Sequence, residues 1–177
     1  MRRGQDAASS MATAFTLSEL VAVIAILGVL ALAVGGPMLS TLTELRARTA
    51  AGRIASDLRY AQRTAIASGL RTWVQFDAGA DAYQLYIEDA DQPGKANRQP
   101  LALAHDTATN TVELNTGALQ HVRLTVVNID GTDEVEFDSF GSPYHAGGLP
   151  LAQIASVQVT TGATVRLHPV SGFVERE

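Results

Sequence analysis

Apolar positions are spread unevenly along this chain, and their pattern changes twice. From Leu20 to Leu39 the sequence runs Leu-Val-Ala-Val-Ile-Ala-Ile-Leu-Gly-Val-Leu-Ala-Leu-Ala-Val-Gly-Gly-Pro-Met-Leu, 20 residues without a charge. That is about the length a helix needs to cross the ~30 Å hydrocarbon core of a bilayer. A secretory signal has a shorter apolar core, roughly 7–15 residues, ahead of a small-residue cleavage site. Gly35-Gly36-Pro37 imitates such a site only loosely, so the run is expected to stay in the protein as a spanning helix. Arg2 and Arg3 precede it, and Ser40, Thr41 and Thr43 follow. This order puts the N-terminus in the cytoplasm and the C-terminal body across the membrane, although Arg46 and Arg48 on the far side weaken the asymmetry.

Beyond Leu39 the period becomes that of a surface helix. Leu42, Leu45, Thr49 and Gly52 lie near one stripe, and Ile54, Leu58, Ala61 and Ala65 form another at i, i+4, i+7 and i+11. One helix is expected from Phe15 to about Ala67, ending at Ser68-Gly69, where glycine suits a C-terminal cap. Gly35, Gly36 and Pro37 interrupt it, because proline removes a backbone bond and clashes with the preceding turn. The interruption reads equally as a simple kink or as a weak point used in assembly. After Gly69 the alternation turns to period two. Strands are expected at 72–76, 83–87, 101–104, 111–114, 122–127, 135–137, 156–160 and 164–167, with an Asp-, Pro-, Gly- and Asn-rich loop over 88–100. Short strands at this spacing predict an antiparallel β-sandwich or packed sheets, giving an α+β protein with a helical stem and a β-rich head.

Charge divides the same way. Residues 39–69 hold five arginines against Glu44 and Asp57, net +3, whereas residues 70–177 hold six basic and 14 acidic side chains, net −8. A basic stem carries an acidic head, and the two could attract each other between neighbouring subunits or simply be differently tinted solvated surfaces. The chain has no cysteine, which excludes a disulfide framework and thiolate metal sites without fixing the compartment.

Glu19 stands at the start of the apolar run. A carboxylate at a membrane helix end is exposed at the interface, paired, or functional, and this residue alone does not choose among them. Its surroundings do. Ala14-Phe15-Thr16-Leu17-Ser18-Glu19-Leu20-Val21-Ala22-Val23-Ile24-Ala25-Ile26-Leu27-Gly28 closely resembles the class III signal of type IV pilins and pseudopilins. The resemblance implies removal of residues 1–14 by a prepilin peptidase, cutting between Ala14 and Phe15, and N-methylation at Phe15. Met11 as the start would leave a very short leader. Glu19 then matches the family glutamate that pairs with the N-terminal amine of a neighbouring subunit. A buried carboxylate and ammonium offset part of each other's desolvation cost. Two positions depart from the pattern: Ala14 stands where the family usually has glycine, and Ser18 where a large aliphatic is commoner.

Three further segments, read in order, are similar to the GspH/FimT family of minor pseudopilins. They are Asp57-Leu58-Arg59-Tyr60-Ala61-Gln62-Arg63-Thr64-Ala65-Ile66, Phe137-Asp138-Ser139-Phe140-Gly141-Ser142-Pro143, and Val165-Arg166-Leu167-His168-Pro169-Val170-Ser171-Gly172-Phe173-Val174. The last two also read simply as turn chemistry. The resemblance implies a leader (1–14), a transmembrane helix (15–39), an amphipathic stem (40–69) and a periplasmic head (70–177). It further implies a subunit of the type II secretion pseudopilus, working with other pseudopilins, the prepilin peptidase, an inner-membrane assembly platform and the secreted substrate. The alternative is a minor pilin of a type IV pilus. A membrane-tethered enzyme or binding protein is the remote third reading.

Chemistry-bearing patterns are sparse. His105, His121, His145 and His168 are scattered without ligand spacing, and no cofactor is expected. Asp89, Asp91 and the acidic run 130–138 could bind calcium but lack the alternating loop with a closing glutamate. Ser139, Ser142 and Ser156 have no nucleophile-elbow context, and no phosphate-binding glycine loop occurs. The acidic head gives no clustered Lys/Arg surface for DNA.

Overall fold

A helix of 52 residues, α1 (Leu17–Ser68), opens the described fold, and among the described residues ten short strands follow it. The computed structural model describes residues 16–103 and 109–177, and for residues 32–39 the backbone alone. The expected start at Phe15 and the leader therefore lie outside the described residues. The chain divides into two units, Met1–Ser40 and Thr41–Glu177. Helical backbone runs through Gly35, Gly36 and Pro37 without interruption. At the other end Gly69, at φ 71, donates to Ala65 O at 3.0 Å and closes the helix as a left-handed cap.

The strands form two antiparallel sheets. The first has the order β3-β2-β1-β6-β7, with β4 also on β2: β1 Thr72–Asp77, β2 Ala82–Ile87, β3 Gln99–Pro100, β4 Thr111–Glu113, β6 Glu134–Phe137 and β7 Pro143–His145. The second has the order β10-β9-β8-β5: β5 Leu124–Asn128, β8 Ala155–Val159, β9 Thr164–Leu167 and β10 Val174–Arg176. The chain passes between sheets at Asp130-Gly131, a two-residue turn with positive φ at both positions, closed by paired bonds of 3.1 Å between Ile129 and Thr132.

Residue alternation explains how the sheets share a core with the helix. In β1, Thr72, Val74 and Phe76 point one way and meet Leu85 and Tyr83 of β2 and Val135 and Phe137 of β6. These join Val157, Val159, Val165, Leu167 and Val174 of the second sheet in one apolar cluster with α1. The helix contributes Ala47, Ala50, Ala51, Ile54, Ala55, Leu58, Ala61 and Ala65, all buried. The stripe read from Ile54, Leu58, Ala61 and Ala65 is thus the core face. The stripe of Leu42, Leu45, Thr49 and Gly52 is not: Leu42 and Leu45 are 41% and 61% exposed. Alanines take the inward positions instead, because a methyl group lets strands approach the helix while Phe76, Tyr83 and Phe137 fill the volume from the sheet side.

The strand expected at 101–104 is displaced. The ladder is at Gln99–Pro100, and Leu101 and Leu103 are core side chains outside any strand. Strands β7 and β10 were not expected; both have only three residues. The segment 88–98 covers the outer face of the first sheet, where Trp73 is fully buried and donates from Nε1 to Glu136 Oε2 at 2.9 Å. Arg98 stacks 4.1 Å over the Tyr86 ring and donates to Glu134 at 2.6 Å and Gln75 at 2.7 Å. Lys95 also reaches Glu134, at 2.5 Å. Two cations thus compensate one buried carboxylate, the condition under which such burial is tolerated.

Candidate assembly site

In the first unit the described apolar side chains have no core to enter. Leu17, Leu20, Val21, Val23, Ile24, Ile26, Leu27, Val29 and Leu30 are all between 44% and 81% exposed. At 100° per residue these positions cover every face of the helix, unlike the single stripe of a surface helix. With each side chain about half exposed, the free energy available from covering them is on the order of 10 kcal/mol. Among the described residues no helix is long and apolar enough to cross a membrane; the side chains described in this run stop at Ala31, short of the expected end at Leu39.

The helix start places Glu19 in a local sequence pattern. Thr16 precedes the helix, and its Oγ1 lies 3.3 Å from the donating Glu19 N and 3.1 Å from Ser18 Oγ. Glu19 N also donates to Thr16 O at 3.1 Å. Thr16-Leu17-Ser18-Glu19 therefore has the threonine and glutamate spacing of a capping box, with the carboxylate in the first turn where the helix dipole favours negative charge. That four-residue signal is visible in the sequence.

Of the other expected positions, Ala14 and Phe15 lie outside the described residues, and Gly35, Gly36 and Pro37 are described by their backbone alone. Of the acidic residues that could bind calcium, Asp89, Asp130 and Asp138 accept backbone amides. Asp89 Oδ1 accepts Asp91 N at 2.9 Å, and that backbone bond holds its carboxyl below the usual range. Asp130 Oδ2 accepts Ala152 N at 2.6 Å, and Asp138 Oδ1 accepts Phe140 N and Ser142 N at 2.9 and 2.8 Å. Among the described residues no group of three or more His, Asp or Glu is placed to hold a metal. His145 Nδ1 accepts Gly147 N at 3.0 Å within its own turn, and His168 pairs with Glu175 at 3.2 Å. His105 lies outside the described residues.

The two glycine-centred segments meet at one helix residue. Gln62 Nε2 donates to Gly141 O at 2.9 Å, in the β6–β7 loop, and to Ser171 O at 3.1 Å, in the β9–β10 loop. A Cβ on Gly172 would stand 2.3 Å from Gln62 Nε2 and 2.8 Å from Gly141 O. Turn chemistry is therefore only half of what these glycines supply; the other half is close approach to the helix. Asp57, one turn earlier, is buried and accepts Tyr83 OH at 2.6 Å, so helix and first sheet share a polar tie inside the core.

A long N-terminal helix with an apolar first half, packed in its second half against an antiparallel β head, defines a pilin-like subunit. A family model for "Type II transport protein GspH" matches residues 50–172, more than half of the chain, and the chain belongs to that family. Two solved structures of the minor pseudopilin EpsH from the type 2 secretion system of Vibrio cholerae share the fold. One aligns with a TM-score of 0.53 at 15% identity, over 75% of this chain and 95% of that one. The other gives 0.51 at 17% identity, over 75% and 96%. No curated protein sequence matches.

Proposed function

We propose that this chain is a minor pseudopilin, a structural subunit of the periplasmic type II secretion pseudopilus that supports export of folded proteins. Residues 1–14 are a leader cut by prepilin peptidase between Ala14 and Phe15, which is then N-methylated. Residues 15–39 anchor the chain in the bacterial inner membrane with the N-terminus cytoplasmic and the head periplasmic. The observation that carries this reading is the apolar first half of α1, exposed on every face and opened by Thr16 and Glu19, in a chain of the GspH family. Such a helix requires an apolar surrounding, and a bilayer followed by the helical centre of a filament supplies one in each stage of assembly. Glu19 pairs there with the amine of the neighbouring Phe15.

Two substitutions separate the intermolecular role of Glu19 from its local one. Glu19→Gln keeps the capping capacity of the position but removes the charge, whereas Glu19→Ala removes both. Amine pairing requires both variants to enter sheared filaments poorly while Trp73 fluorescence reports an unchanged head. Normal incorporation of Glu19→Gln with loss for Glu19→Ala would reduce Glu19 to a cap. Deletion of the gene in its host, scored for exported protein in the medium alongside pili, twitching and transformation, tests the machine. Lost secretion with pilus functions intact supports the pseudopilus; lost motility or DNA uptake with normal secretion moves the chain to a type IV pilus.

A further inference from the structure

The outer face of the first sheet is built unlike its inner one. By register, Trp73, Gln75, Gln84, Tyr86, Glu134 and Glu136 share it, a surface of carboxylates, amides and aromatic rings. Residues 88–98, the loop from β2 to β3, lie over this face, yet none of them is buried. The apolar residues of the loop, Ala90, Pro93 and Ala96, are all exposed. Apolar burial therefore does not hold this strap down. Two of its cations, Lys95 and Arg98, tie it to Glu134, which is 2% exposed.

The Arg98 guanidinium meets an aromatic face on Tyr86, a carboxylate on Glu134 and an amide carbonyl on Gln75. Those are the partners by which proteins recognise a guanidinium ligand. The fit is incomplete. Lys95 stands 2.5 Å from Glu134 Oε1, but that oxygen accepts no hydrogen bond among the described residues. The strap thus neutralises the carboxylate without saturating it. A cleft of about 320 Å³ opens beside the site, lined by Gln75 itself and by Asp77, Gln84 and Glu113. Among the described residues neither Asp77 nor Glu113 pairs with a cation.

We propose that Glu134, Gln75 and Tyr86 form a binding site for an arginine side chain of a basic peptide, closed in cis by Arg98 and Lys95 on a displaceable strap. The strap can lift as a unit because its two ends are joined by the Ile87–Gln99 pair, which leaves β2 and β3 in register. Its replacement must be cationic, since lifting the strap strips Glu134 of both compensating charges. A segment with several arginines also reaches the two unpaired carboxylates of the cleft. Tethering gives Arg98 a high local concentration, so the closed chain binds such a segment weakly. The proposal is independent of the filament reading, because every residue in it belongs to the second unit.

The test uses the full-length chain and a fluorescent tetra-arginine peptide, read by anisotropy at fixed ionic strength. Lys95→Ala with Arg98→Ala should bind the peptide at least about tenfold more tightly than wild type, the equivalent of one charge-assisted pair released. The charge-matched control Arg123→Ala with Arg166→Ala should show no such gain. Adding Glu134→Gln to the first pair should abolish it, although that removes only one of the 14 acidic side chains in residues 70–177. Amide exchange gives a second arm that needs no substitution. In wild type, Gly94 and Asn97, whose amides donate within the strap at 2.9 and 3.1 Å, should exchange faster than β1. Their rates should be nearly independent of urea, because lifting the strap exposes little surface. Equal binding by wild type and the double variant, or a gain that the control reproduces or that survives Glu134→Gln, would overturn the site. Exchange of Gly94 and Asn97 only at the rate of β1, or a double variant that does not fold, would place the strap in the cooperative core and overturn the proposal as well.

Discussion

Asp57 and Tyr83 illustrate how single residues tie the helix to the sheet. Asp57 is 3% exposed, Arg53 Nε lies 3.9 Å from it, and the Tyr83 hydroxyl donates to it at 2.6 Å. Burial, and next the adjacent carboxylate, hold the Tyr83 phenol well above its ordinary value of 10.0. A raised folded-state value means that this group's stability contribution is intact below about pH 10 and is lost as the pH climbs further. Tyr83→Phe removes the donor and strands part of a buried carboxylate, so the head should lose about 1–3 kcal/mol at neutral pH. The sequence contains one tryptophan, Trp73, which is fully buried, and its fluorescence in urea titrations reads the loss. Between wild type and variant the gap should narrow above pH 10. A gap that stays constant there would remove the pH argument.

Among the elements, the two loops clamped by Gln62 separate two reasons for glycine. Gly172 and Gly148 both have positive φ, 62 and 73, but only at Gly172 would a Cβ collide with other atoms; nothing lies within 4 Å at Gly148. Gly148→Ala should cost only the left-handed penalty, about 1–2 kcal/mol. Gly172→Ala should cost more, because Gly141 O is backbone and cannot swing aside, and it should also loosen the β6–β7 loop. Equal melting midpoints for the two variants would show that approach to the helix is unimportant. Much at this scale was legible in the sequence. The period-two runs located β1, β2, β4, β6, β8 and β9, and the helix ended at Gly69 as its residue type required. What stayed hidden has a common cause. Alanine at positions 47, 50, 51 and 55 gives little hydropathy contrast, so the larger Leu42 and Leu45 drew the stripe to the wrong face. Strands β7 and β10, and the contacts that Arg98 and Lys95 make with Glu134, depend on long-range pairing that no local window contains. Gln62 as a clamp has no local signal either.

At the scale of the whole molecule, the first unit leaves its described apolar side chains exposed, whereas the second buries its own in a core. Among the described residues the buried apolar side chains begin at Ala47. Gly35, Gly36 and Pro37 fall in the first unit, within helical backbone. In a helix interior glycine is about 1 kcal/mol and proline about 3 kcal/mol less favourable than alanine, so the three together leave this turn weaker by roughly 5 kcal/mol. If the segment yields during assembly, the triple variant Gly35→Ala, Gly36→Ala, Pro37→Ala should slow amide exchange across 33–41 and enter filaments poorly. Its Trp73 unfolding midpoint should match wild type, because the altered turn is outside the head's core. Normal incorporation together with slowed exchange would make the three residues a passive kink. A lowered Trp73 midpoint would instead mean that the first unit supports the head, against the division of labour inferred from where the buried residues begin.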